Sequence, residues 1–114
     1  MIEPISYAAR RGFAEDAARR VAHAGVMPII STFLGVTVRM YYADHAPPHV
    51  HVAYQGHEAL VALEDGRVIE GSVPRRVAAV VTQWCLDHRV ELAQNWSRAQ
   101  ALEPITRIAG ADND

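Results

Sequence analysis

Asp44, His45, His49 and His51 fall within eight residues and hold three of the six histidines of the chain. Neutral imidazoles beside a carboxylate suit zinc or another late transition metal. Two histidines two apart on a strand project to the same side, with Cα atoms about 6 to 7 Å apart. Asp44, His45, His49 and His51 are therefore candidate metal ligands, with zinc as the ion. The same residues support a metal-free chemistry. Arg39 and Tyr41 share one face of the preceding strand, and correct pairing would bring them beside His49 and His51. One imidazole can then take a proton while the other gives one, with Arg39 and Tyr41 at a phosphate. This is a workable ribonuclease constellation without a cofactor.

A structural reading of the stretch is equally open. Asp44 can cap the loop through its own backbone, His45 can close the turn before Pro47-Pro48, and the strand histidines can hydrogen-bond across the sheet. Glu58 falls on the histidine face and can orient an imidazole. His57 and His88 fall outside the cluster, His88 as a satisfied, partly buried side chain at the end of an apolar helical stripe. No P-loop, dinucleotide fingerprint, nucleophile elbow or zinc-finger spacing is present.

The elements that must position these residues follow from periodicity. Pro28 to Phe33 is apolar and β-branched, Gly35 interrupts it, and Val36 to Tyr41 alternates with period two. Two prolines make residues 43–48 a loop, and His49 to Tyr54 resumes as strand. Turns at Gln55-Gly56 and Asp65-Gly66, read as two-residue hairpins, give a meander through Glu58–Leu63 and Arg67–Gly71. Alternation then places Val50, Val52, Ala59, Val61, Leu63 and Val68 on the core face. His49, His51, Ala53, Glu58, Leu60, Ala62, Glu64, Arg67 and Ile69 take the opposite face, where the histidines meet solvent or a ligand.

After a Ser72 cap and Pro74 in the first turn, Val77, Val80, Val81 and Trp84 form one helical stripe. A second helical stretch covers residues 90–102. Residues 105–108 are read as a last edge strand. The expected fold class is α+β: an antiparallel meander of four to five strands covered on one face by a C-terminal helical pair. Residues 1–26 form a separate N-terminal helix or mobile tail, 27–108 the domain, and 109–114 an acidic, frayed tail.

Composition agrees with a single compact domain: 114 residues, half of them apolar, with a net charge of -2. Near-neutral charge argues against gripping long nucleic acid by charge alone. The single Cys85 excludes an intramolecular disulfide and reads as a buried free thiol. No apolar run approaches the ~20 residues that span a bilayer, and the N-terminus lacks a secretory pattern, so a cytoplasmic location is expected.

Met27-Pro28-Ile29-Ile30, Phe33-Leu34-Gly35-Val36, Arg39-Met40-Tyr41-Tyr42, Asp44-His45-Ala46-Pro47-Pro48-His49-Val50-His51-Val52, Trp84 with His88-Arg89, and Asn95-Trp96 carry a resemblance. Over about residues 27–108 the chain resembles the small bacterial proteins grouped as domain of unknown function 4160. Those proteins usually carry an aromatic where this chain has Val50, and they start near Met27. The resemblance implies an α+β protein often encoded beside another small protein and sometimes suspected of toxin-antitoxin-like pairing. It transfers no catalytic residue. The expectation it raises is an accessory protein of a bacterial two-gene, toxin-antitoxin-like module. Such a protein would act through a partner encoded nearby or through self-association, with RNA as a further candidate partner and the His-rich loop and strand as the interaction or active surface.

Overall fold

The computed structural model describes residues 28–112. Five strands, β1 (Ile29–Phe33), β2 (Val36–Arg39), β3 (His49–Tyr54), β4 (His57–Ala62) and β5 (Val68–Gly71), form one antiparallel sheet in sequence order. Two helices follow, α1 (Arg75–Asp87) and α2 (Arg89–Gln100). This is the expected α+β meander with a C-terminal helical pair. The expected N-terminal helix or tail lies outside the described residues. Among the described residues no helix is long and apolar enough to cross a membrane.

The hairpins explain the register. Leu34-Gly35 and Gln55-Gly56 each place two successive residues at positive φ, 52° and 81° and then 44° and 85°. Such turns match the right-handed twist of flanking strands. They set Phe33 opposite Val36 and Tyr54 opposite His57. The period-two pattern then decides the faces: Val38, Val50, Val52 and Val61 are buried on one side, where Val77, Val81, Trp84 and Cys85 of α1 meet them. Fully burying a valine or leucine side chain stabilises by roughly 1.5–3 kcal/mol, so this layer is the main apolar contribution to stability.

The Asp65-Gly66 connection is not a two-residue hairpin. Strand β4 ends at Ala62 and β5 begins at Val68, with Val61 opposite Val68 and Leu60 opposite Glu70, so Ile69 is bulged out. The cause is tertiary. The Asp65 carboxylate accepts from the Arg67 N–H, and the Thr82 hydroxyl donates to the Gly66 carbonyl. A Cβ on Gly66 would lie 2.8 Å from the Thr82 carbonyl oxygen, so only glycine lets the loop tuck under α1. Because the slip is two residues, Val68 still faces inward. Glu70, rather than Ile69, takes the open face.

Two further expectations are corrected. Ser72 does not cap α1: its N–H donates to the Glu58 carbonyl, which keeps it in the sheet, and Pro74 occupies the cap position. Residues 105–108 do not form a strand. The buried Asn95 side chain donates to the Thr106 carbonyl and accepts the Thr106 N–H, so both backbone groups of Thr106 are satisfied by a side chain instead of a ladder. The chain beyond is not frayed as far as Asp112. The Ala109 carbonyl accepts from Trp84 Nε1 at 2.8 Å, and the Asp112 carboxylate accepts from the Leu34 N–H. The helix break falls at His88, whose Nδ1 donates to the Trp84 carbonyl at 3.0 Å, as expected of a satisfied, half-buried histidine.

Candidate metal centre

The loop between β2 and β3 is held from α2. The Ala43 N–H donates to the Ala99 carbonyl at 3.2 Å, and Gln100 Nε2 donates to the Asp44 carbonyl at 3.0 Å. Ala43 itself adopts φ 56°, which turns the chain so that Asp44 faces back over the start of β3. Asp44 Oδ2 then lies 3.0 Å from His51 Nε2 and 3.0 Å from His49 Nε2. Burial pushes the Asp44 carboxyl up. The hydrogen bond from His51, the N–H of His45 and the charges of His49 and His51 together outweigh it, so the carboxyl titrates below its usual range.

His49 departs from the expectation that both strand histidines meet solvent, being only 1% exposed. It does point away from the Val50 side of the sheet. The Trp96 ring, 5.5 Å away, and the His45 ring, 5.3 Å away, close over it. Its Nδ1 lies 2.7 Å from the Pro47 carbonyl. A carbonyl only accepts, so Nδ1 carries the hydrogen, and in the neutral ring Nε2 presents a lone pair. That Nε2 is buried and has no hydrogen-bond partner among the described residues, since its 3.0 Å approach to Asp44 lacks the alignment of a hydrogen bond.

While the ring is neutral, that lone pair repels the neighbouring carboxylate oxygen, and either a proton on Nε2 or a metal cation among the three groups converts repulsion into attraction. The ligand atoms of Asp44, His49 and His51 lie within 4.8 Å of one another. Zinc takes imidazole nitrogen and carboxylate oxygen at roughly 2.0 to 2.2 Å, so the cluster needs only small movements to close on an ion. The Pro47 carbonyl fixing the far nitrogen of His49 is the usual outer support of a ligating histidine. These residues fit a zinc-type ion.

The predicted ligands thus divide three to one. His45 flanks the cluster: its side chain is 67% exposed, with Nε2 3.8 Å from Asp44 Oδ1 and Nδ1 turned to the Ala46 carbonyl.

The predicted acid-base group divides as well. Arg39 sits opposite His51 in the β2–β3 register, and the Tyr41 ring stacks on the His51 ring with centroids 4.1 Å apart. These three residues line a concavity of about 430 Å³ on the open sheet face, together with Glu58, Leu60 and Glu70. His49 does not line it. His51 is the shared wall between this concavity and the Asp44 cluster.

Sequence reasoning missed Gln100 and Glu70. Gln100 carries no local signal of a contact 56 residues away, and Glu70 reaches the open face only through the bulge. His57 is exposed at the far end of the β3–β4 hairpin, away from the cluster.

Fold and site define a small α+β protein with a histidine–carboxylate cluster at the loop end of its sheet. The chain belongs to the family described as Domain of unknown function (DUF4160), which matches residues 35–97. That stretch contains Arg39, Tyr41, Asp44, His45, His49 and His51. No curated protein and no solved structure matches the chain.

Proposed function

We propose that the protein binds a zinc-type divalent ion through Asp44, His49 and His51. The observation that carries this reading is the buried His49 Nε2, which has no hydrogen-bond partner among the described residues and lies 3.0 Å from a carboxylate oxygen. Leaving a buried polar atom unsatisfied costs roughly 1–3 kcal/mol, and metal ligation satisfies it. A four-coordinate ion held by these three residues would keep one position for water. An ion held this way supplies Lewis acidity and lowers the pKa of bound water. The metal-free ribonuclease reading needs both imidazoles at one phosphate; the two rings lie 5.1 Å apart, but only His51 lines the concavity with Arg39 and Tyr41, while His49 is buried, which favours the metal reading.

The test is elemental analysis of protein purified without a histidine tag, followed by zinc titration. Stoichiometric zinc is expected, lost in His49→Ala and His51→Ala and weakened in the near-isosteric Asp44→Asn. His45→Ala and Arg39→Gln should retain it. Absence of bound metal, with no gain in melting temperature on adding zinc, overturns the reading.

An accessory role in a two-gene, toxin-antitoxin-like module draws on the family resemblance and on Leu86 and Val90, 40% and 68% exposed at the junction of α1 and α2. Co-purification of the neighbouring gene product supports that role. Failure to co-purify, together with no effect on growth toxicity, removes it.

A further inference from the structure

The concavity on the open sheet face has ends of opposite charge. The register places Arg39, His51, Leu60 and Glu70 in one row across β2, β3, β4 and β5. Neighbouring strands lie about 4.8 Å apart, so the row runs roughly 14 Å from Arg39 Cα to Glu70 Cα. Arg39 stands at one end beside the Tyr41–His51 stack. Glu70 stands at the other, with Glu58 one row away opposite Ala53. Leu60, half-buried, forms the apolar floor between them. Among the described residues none of Arg39, Glu58 and Glu70 makes an ion pair within 4.0 Å, although all three line the same space.

Charges of both signs that share a concavity without pairing among the described residues suit a ligand that carries both complementary charges. A volume of about 430 Å³ suits a small molecule rather than a macromolecular surface. An arginine end recognises a carboxylate or phosphoryl group by planar, charge-assisted hydrogen bonds. The two glutamates at the other end repel a polyanion, which disfavours an RNA strand laid across the sheet, and attract an ammonium or guanidinium group.

We propose that this face binds a dipolar small molecule of about dipeptide size, its acidic group at Arg39 and its basic group between Glu58 and Glu70. The site is separate from the metal cluster, because Asp44 and His49 do not line it and His51 turns Nε2 toward Asp44. Failure of either reading leaves the other standing.

The probe is glycyl-arginine, titrated into isotope-labelled full-length protein and followed by backbone amide shifts. The comparison ligands are its C-terminal amide, which lacks the carboxylate, and glycyl-norvaline, which lacks the guanidinium and keeps only the amino terminus as a cation. Saturable shifts at Arg39, His51, Leu60 and Glu70 are expected for glycyl-arginine, with binding about tenfold weaker for each comparison ligand. Arg39→Gln should abolish discrimination against the amide. Glu58→Gln combined with Glu70→Gln should abolish discrimination against glycyl-norvaline, and all three substitutions are exposed or half-buried enough to leave the fold intact. Zinc content should not change in any of these variants. No saturable shift, equal binding of the three ligands, or stronger binding of a short oligoribonucleotide than of glycyl-arginine overturns the proposal.

Discussion

Tyr41 and His51 stack with ring centroids 4.1 Å apart and planes inclined by 19°, and this stack forms the partition between the Asp44 cluster and the concave sheet face. One edge of His51 carries the Nε2 that meets Asp44 at 3.0 Å. Its face is covered by Tyr41. The imidazole is thereby fixed in plane by an aromatic neighbour and in direction by a carboxylate, the two constraints that preorganise a ligand.

Tyr41 should therefore act as a positioning residue for the proposed metal site. Aromatic pairs contribute roughly 0.5–1.5 kcal/mol beyond area burial. Tyr41→Ala is expected to weaken zinc affinity by up to about tenfold, whereas Tyr41→Phe keeps the stack and the affinity. Competition against a chromophoric chelator measures both. Equal affinity in the alanine variant would show that Asp44 alone orients His51.

Asn95 should be the anchor of the C-terminal segment. It is fully buried, donates to the Thr106 carbonyl at 2.7 Å and accepts the Thr106 N–H at 3.0 Å. Asn95→Leu keeps approximate volume and leaves those two backbone groups unpaired, for a loss of roughly 1–3 kcal/mol in urea unfolding. Amide exchange at Thr106 and Ile108 should accelerate more than exchange in β3. Uniform acceleration across the sheet would mean that Asn95 serves global packing only.

Cys85 should be inert in the folded protein. Burial pushes its thiol up to about 12, so the reactive thiolate is scarce at neutral pH. Labelling by a disulfide reagent is expected only on unfolding. The sign of the linked pH effect follows: a thiol raised in the folded state stabilises below its ordinary value of 9.0. That contribution is lost as pH rises from there toward the folded value. Stability should decline across this alkaline window, and rapid labelling of native protein at neutral pH would contradict the burial of Cys85.

The parts of the molecule legible in sequence are those fixed by local pattern. Val50 and Val52 had to face inward once β3 alternated, and Gln55-Gly56 had to turn between two such strands, because period and turn chemistry are local properties. Convergence of Asp44, His49 and His51 was legible as a set of types and spacings. The burial of His49 was not, since it is imposed by Trp96 on a helix some forty-seven residues away in sequence. The outward placement of His45 has a similar cause: its Nδ1 turns to the Ala46 carbonyl while Gln100 holds the Asp44 carbonyl, and neither contact leaves a trace in spacing. Glu70 reached the open face because Thr82 and Gly66 draw the preceding loop under α1, a contact between segments that no strand period encodes.

Asp44 allows a test of the cluster that does not require metal. Its carboxyl titrates below the ordinary 3.8, because hydrogen bonds from His51 and the His45 N–H and the charges of His49 and His51 together outweigh the upward push of burial. A carboxyl lowered in the folded state binds fewer protons there than in the unfolded chain. It therefore contributes stability that is present above the unfolded value and disappears as pH falls through the folded one. In chelator-treated protein, wild type should exceed Asp44→Asn in stability at about pH 5, and the gap should shrink as pH drops below about 4. Asparagine has no titrating proton, so its own curve carries no such step. Parallel curves for the two proteins across that acid window would mean that Asp44 does not interact with the histidines as a carboxylate.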